Sequence, residues 1–248
     1  MKKSTDGLVI SIGTGDKKQL VRDSALTVKV QGQAVSVGRQ RGVDLVFVID
    51  TTGSMSDKIE GLLESCERFV GEFAELGLDH RMAVVAFGDL TVPEDRISVV
   101  KFTDRIETIK SALRKIPRYS GGGNEGESSL EAIQHALSLP FRPSVVKALV
   151  LITDEPALQH RLSAEKIIRQ LTDGEYLTFV VSPPEPYYKA MATKTGGLWY
   201  VISASVDFDS LLDMFRSLAS KLSTVVSDVY KLADGSVKNY LQLKAPGK

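Results

Sequence analysis

Cysteine is all but missing from this chain, with Cys66 the single one among 248 residues. One thiol cannot build an internal disulfide framework, and so low a count fits a reducing compartment. Cys66 lies in Leu62-Leu-Glu-Ser-Cys-Glu-Arg-Phe-Val70, a helical pattern with no histidine nearby. That reads as a small buried side chain, not a nucleophile. An excess of one charge is missing too, since Lys plus Arg and Asp plus Glu both total 31. No field draws the chain to nucleic acid or to an anionic membrane. Histidine is scarce, and His80, His135 and His160 are too scattered for zinc-ligand spacing. No apolar run approaches the length of a membrane span, and Met1-Lys-Lys-Ser-Thr-Asp-Gly7 lacks the apolar stretch of a signal peptide. A cytoplasmic location with no membrane partner is therefore expected. Gly13-Thr-Gly-Asp16 and Gly121-Gly-Gly-Asn124 are glycine-rich, but neither has the lysine and hydroxyl of a phosphate loop. Nor does any pattern assemble a Ser-His-Asp triad.

What the chain does have is alternation. Val43–Ile49 is an apolar strand with a single charge, rich in β-branched residues, suited to burial on both faces. Apolar residues at helical spacing follow from Ile59 to Phe73. Strand-like runs recur at 81–87, 97–102, 145–153, 176–182 and 198–202. Helical patterns occupy 104–115, 127–137, 162–171, 186–195 and 207–222, the last with Asp207 placed to cap it. Strands separated by helices predict a doubly wound α/β fold. The sheet is expected to be six-stranded and mainly parallel, with 97–102 as its antiparallel edge and helices on both faces. The ends read differently. Leu8–Ile12, Leu26–Val30 and Ala34–Val37 suggest short strands, giving an N-terminal β flank over 1–42. Val229–Leu232 and Val237–Leu243 flank Ala233-Asp-Gly-Ser236, which reads as a hairpin and gives a C-terminal β flank over 223–248. The main domain then spans 43–222.

Asp50 closes the first buried strand, at the carboxyl edge where open α/β sheets place their ligands. Thr52, Ser54 and Ser56 follow at two-residue intervals, so their hydroxyls could face one point. A carboxylate with neutral oxygens suits a hard divalent cation. Asp154, after the 145–153 strand, would meet Asp50 at the same edge if both strands run parallel. The plainer alternative is a helix cap, with Thr52 or Ser54 serving the next helix and Asp50 favoured by its dipole. A phosphorylated Asp50 is a third possibility, but that chemistry wants a second acid where Thr52 stands and an aspartate beside Asp154. Asp89, at the same edge, reads as a turn residue, and Glu127 and Glu155 as solvated acids at the rim. Met55 suits either a ligand surface or the helix core.

Asp50-Thr-Thr-Gly-Ser54, Gly121-Gly-Gly-Asn-Glu-Gly-Glu127 and Leu151-Ile-Thr-Asp154-Glu-Pro156 together resemble a von Willebrand factor A domain, over about residues 43–222. The resemblance implies a metal-ion-dependent adhesion site holding Mg²⁺ or Mn²⁺. Asp50, Thr52 and Ser54 match its first loop and Asp154 its third. In the second loop, Gly123 aligns with the family's coordinating threonine and offers no oxygen, leaving Asn124 or water to fill the place. The implied function is non-enzymatic: a protein-interaction module whose cation takes an acidic residue from a partner. Intracellular relatives accompany AAA+ ATPases, kinases or multiprotein assemblies. Gly123 keeps a module with a degenerate metal site open beside it, with an Asp50-centred phosphatase or phosphotransferase behind both.

Overall fold

The computed structural model describes residues 26–30, 33–37, 42–56, 58–75, 79–123, 126–143, 145–202 and 208–244. The chain divides into two compact units, Met1–Gln40 and Arg41–Lys248. In the first, β1 (Leu26–Val30) and β2 (Gln33–Val37) form an antiparallel ladder from Leu26 opposite Val37 to Val30 opposite Gln33. Both strands were expected; Leu8–Ile12 lies outside the described residues.

The second unit alternates strand and helix. Its elements are β3 (Gly42–Asp50), α1 (Ile59–Ala74), β4 (Asp79–Phe87), β5 (Ile97–Thr103), α2 (Ile106–Arg114), α3 (Ser129–Leu137) and β6 (Val146–Ile152), then α4 (Ala164–Asp173), β7 (Tyr176–Ser182), α5 (Pro186–Lys194), β8 (Trp199–Val201), α6 (Phe208–Ala233) and α7 (Val237–Lys244). The sheet order is β5-β4-β3-β6-β7-β8, parallel throughout except at the β5 edge. β3 is buried along its whole length. Leu45, Phe47 and Ile49 pack with α1, α2 and α6, while Val46 and Val48 pack with α3, α4 and α5. Every strand side chain thus meets a helix layer, which is why the strand reads as a continuous apolar run. Besides the terminal Asp50 its one acidic residue is Asp44, which is fully buried. Its carboxylate accepts from Arg81 Nε and Nη2 at 3.0 and 2.5 Å, and from Arg142 N and Nε at 2.7 and 2.9 Å. The chain winds outward in both directions from β3 and β6, so their carboxyl ends flank the point where the sheet order reverses. That crevice is where doubly wound folds bind ligands.

The C-terminal hairpin expectation is corrected. α6 continues to Ala233 and α7 follows it, with no strand among the described residues of 223–248. Leu218, Leu222, Val226, Val229 and Ala233 form one buried stripe at helical spacing, which outweighs the strand-like look of the short pieces. Asp234-Gly235 takes positive φ, 49° and 84°, and the Gly235 N–H bonds the Val229 carbonyl at 3.0 Å. The same dipeptide that turns a hairpin here ends a helix. Ser236 then opens α7, its hydroxyl accepting from Asn239 N at 3.2 Å. Tyr230 ties α6 to the start of β3: its hydroxyl donates to the Gly42 carbonyl at 2.6 Å and accepts from Gly42 N at 3.0 Å. Asp207, the expected cap of α6, is outside the described residues.

Candidate metal centre

Asp50 is fully buried at the end of β3. Its Oδ1 accepts from Thr52 N at 3.0 Å and Thr52 Oγ1 at 2.7 Å, and its Oδ2 from Thr153 Oγ1 at 2.7 Å. Thr52 Oγ1 lies 3.2 Å from Ser54 Oγ, which donates to Asp154 Oδ1 at 2.9 Å. Asp50, Thr52, Ser54 and Asp154 therefore form one continuous oxygen array across the ends of β3 and β6. Ser56 is not part of it; its hydroxyl turns back to the Gly53 carbonyl at 2.6 Å. The helix-cap alternative is not what these hydroxyls do. Thr52 opens the 3₁₀ turn Gly53–Met55 without a side-chain cap bond, and Lys58 likewise precedes α1 without one. Met55 is fully buried in the core and forms no ligand surface.

The loop is pinned from behind. Gly53 N donates to Ser120 O at 3.3 Å and Tyr119 N to Thr51 O at 2.9 Å. A Cβ on Gly53 would stand 2.9 Å from the Ser120 carbonyl oxygen, so only glycine allows this approach. Buried Asp95 anchors the neighbouring loops, accepting from Asp89 N, Ser120 N and Gly121 N at 3.0, 3.1 and 2.9 Å. Asp89 is a turn residue, as its position suggested, accepting from Thr91 N at 2.8 Å and Thr91 Oγ1 at 2.7 Å.

Two residues give the site a character that sequence reasoning missed. Lys58 is buried; its Nζ pairs with Asp154 Oδ2 at 3.2 Å and bonds Ser54 O at 3.3 Å. Its signal was only a cation one helical turn beyond Ser54. Glu127, expected in solvent, is 5% exposed, and its Oε2 has no hydrogen-bond partner. Burial, reinforced by the charges of Asp50 and Asp89, pushes its carboxyl up to about 8. Burial also pushes Asp50 up to about 6, against the hydrogen bonds from Thr153 and Thr52 that favour its ionised form. Glu155 is half-buried at the rim and is raised by burial and by Asp154. Two neighbouring acids held from water, one with an orphaned oxygen, make a site short of positive charge.

The donor set fits a hard divalent cation: carboxylate and hydroxyl oxygens, no sulfur and no imidazole. Among the described residues, no group of three or more His, Cys, Asp or Glu side chains is placed to hold a metal by itself. Any cation here would depend on the hydroxyls of Thr52 and Ser54. Gly123 is outside the array, with φ of 64° and open space where a Cβ would project. Asn124 is outside the described residues.

Comparison with known proteins gives the fold a family. Among solved structures, proximal thread matrix protein 1 from the mussel byssus aligns with 74% of this chain and 46% of its own, at 19% identity and a TM-score of 0.54. The pilus adhesin SpaC from Lactobacillus rhamnosus GG, in an open conformation, aligns with 74% of this chain and 30% of its own, at 13% identity and a TM-score of 0.57. This chain thus spans less than half of either protein, and the likeness is one of fold. No curated protein sequence matches it. The von Willebrand factor type A domain model matches residues 44–217, from the buried strand β3 into helix α6, and the chain belongs to that family.

Proposed function

We propose that the chain is a metal-ion-dependent protein-interaction module of the adhesion or scaffold type, working without catalysis. Von Willebrand factor A domains generally mediate protein–protein interaction and adhesion. The observation that carries the finer reading is the continuous array Asp50–Thr52–Ser54–Asp154 at the switch point of the sheet. Asp50, Thr52 and Ser54 would hold Mg²⁺ or Mn²⁺, and Asp154 would orient Ser54. When bound, the cation supplies a positive centre for a partner's carboxylate. This chain's own residues fix the array in place, exclude water from its base and leave Ser54 at the exposed rim. The burial of Asp50 weighs against its use as the nucleophile of a phosphotransferase and supports the non-catalytic reading. A cytoplasmic scaffold is the setting we favour, with an AAA+ ATPase, a kinase or a multiprotein assembly as partner.

One observation favours a second reading. The Lys58–Asp154 pair places a built-in cation at the array, as a domain with a degenerate metal site would. Calorimetric titration of wild type and Asp50→Ala with Mg²⁺ and Mn²⁺ separates the two. Binding by the wild type alone supports the metal-dependent module; no binding by the wild type at millimolar metal leaves the degenerate one. Capturing acidic protein partners with and without chelator then asks whether the cation carries recognition.

A further inference from the structure

The glycine at position 123 removes the second-loop oxygen that the rest of the array calls for, yet the structure brings another acid to that side. Glu127 stands just before α3, and its backbone is clamped to the loop that follows Asp154. Its N–H donates to Pro156 O at 2.8 Å and its carbonyl accepts from Leu158 N at 2.9 Å. Gly121 makes room for the side chain: a Cβ there would lie 3.1 Å from Glu127 Oε1 and 3.3 Å from Thr52 Cβ. The carboxyl and Thr52 thus border the same small space at Gly121, while a side chain at position 123 would project into open space.

We propose that Glu127 is the second-loop member of the cation site, supplying from a carboxylate the oxygen that Gly123 lacks. This rests on the metal-dependent reading above. Three features of the molecule carry it. Glu127 Oε2 is buried without a hydrogen-bond partner, a costly state for a carboxylate that a cation would relieve. The neighbouring acids are already served: Asp95 and Asp89 by backbone amides and Thr91, Asp154 by Ser54 and Lys58. The charges also balance. With a cation bound and their protons displaced, Asp50, Glu127 and Asp154 would bring three negative charges against the one positive of Lys58, so a divalent cation cancels what remains. Without Glu127, the Lys58 ammonium would leave the loaded site with an excess positive charge and would oppose metal binding. Glu127 thus offsets Lys58 and lets both sit in one centre.

The test is Mg²⁺ and Mn²⁺ calorimetry on wild type, Asp50→Ala, Glu127→Gln and Glu127→Asp, with melting temperatures taken in chelator. Glu127→Gln keeps the shape and removes a carboxyl whose ionisation burial disfavours, so its metal-free melting temperature should be no lower than wild type. Its metal affinity should fall by at least about 10-fold, the lower end of what losing an outer-shell partner alone costs. Glu127→Asp keeps the charge and withdraws the oxygen by one methylene, and should also bind more weakly than wild type. Wild-type affinity in both Glu127 variants, with binding lost in Asp50→Ala, would overturn the role of Glu127 and leave the metal site standing. Failure of the wild type itself to bind would overturn the metal-dependent reading and this inference with it.

Discussion

Replacing Asp50 by asparagine should stabilise the metal-free protein while removing its response to metal. In the fold, burial raises the Asp50 carboxyl from 3.8 to about 6. The folded state therefore holds the proton more tightly than the unfolded chain does. Stability from that proton is fully present below about pH 4 and is lost as pH rises through about 6. The rise from 3.8 to about 6 corresponds to roughly 3 kcal/mol. In chelator, wild type should lose about that much between about pH 4 and about pH 7.5 through this group. Glu127, raised from 4.5 to about 8, adds a loss of the same sign that begins near pH 4.5 and continues to about 8. The replacement asparagine does not ionise, and its amide can still accept from Thr52 and bond to the Thr153 hydroxyl. Urea unfolding in chelator at about pH 7.5 should then show Asp50→Asn more stable than wild type by about 2–3 kcal/mol, with a flatter pH profile. Millimolar Mg²⁺ should raise the stability of wild type alone, and would reverse the order for a dissociation constant below about 10 μM. An Asp50→Asn protein less stable than wild type in chelator, with the same pH profile, would refute this account of Asp50.

Asp44→Ala should cost about 3–5 kcal/mol in urea unfolding, since it strips Arg81 and Arg142 of the buried carboxylate they share; a loss under about 1 kcal/mol would mean that the partly exposed guanidiniums simply turn to water. Gly121→Ala should weaken Mg²⁺ binding, because its Cβ would press on Glu127 and Thr52. Gly123→Ala should cost about 1–2 kcal/mol for its positive φ while leaving metal affinity unchanged, and equal affinities in the two variants would contradict the loop geometry.

The sheet was legible because its signal is strong and local. A strand such as Val43–Ile49 has no polar face to disguise it, and the acid that ends it marks the ligand edge. The position of Asp154 followed from topology, since parallel strands on either side of a switch point end together. The C-terminal segment misled because Ala233-Asp-Gly-Ser236 suits a hairpin turn and a helix end equally well; only the long stripe from Leu218 to Ala233 decides between them. Glu127 and Lys58 were missed for a different reason. Burial of a charged side chain depends on which loops close over it, and the Asp95 anchor and the clamp to Pro156 and Leu158 are long-range contacts with no local pattern. Gly123 was aligned by the glycine run, whereas the structure leaves open space at Gly123 and buries the acid four residues later.

A crystal grown or soaked with Mn²⁺ and measured at the manganese absorption edge would locate the cation. One anomalous peak is expected at the ends of β3 and β6, within bonding distance of Asp50, Thr52 and Ser54, and none in an Asp50→Ala crystal. A wild-type crystal at millimolar Mn²⁺ with no peak there, and the Lys58–Asp154 pair in its place, would contradict the metal-dependent reading.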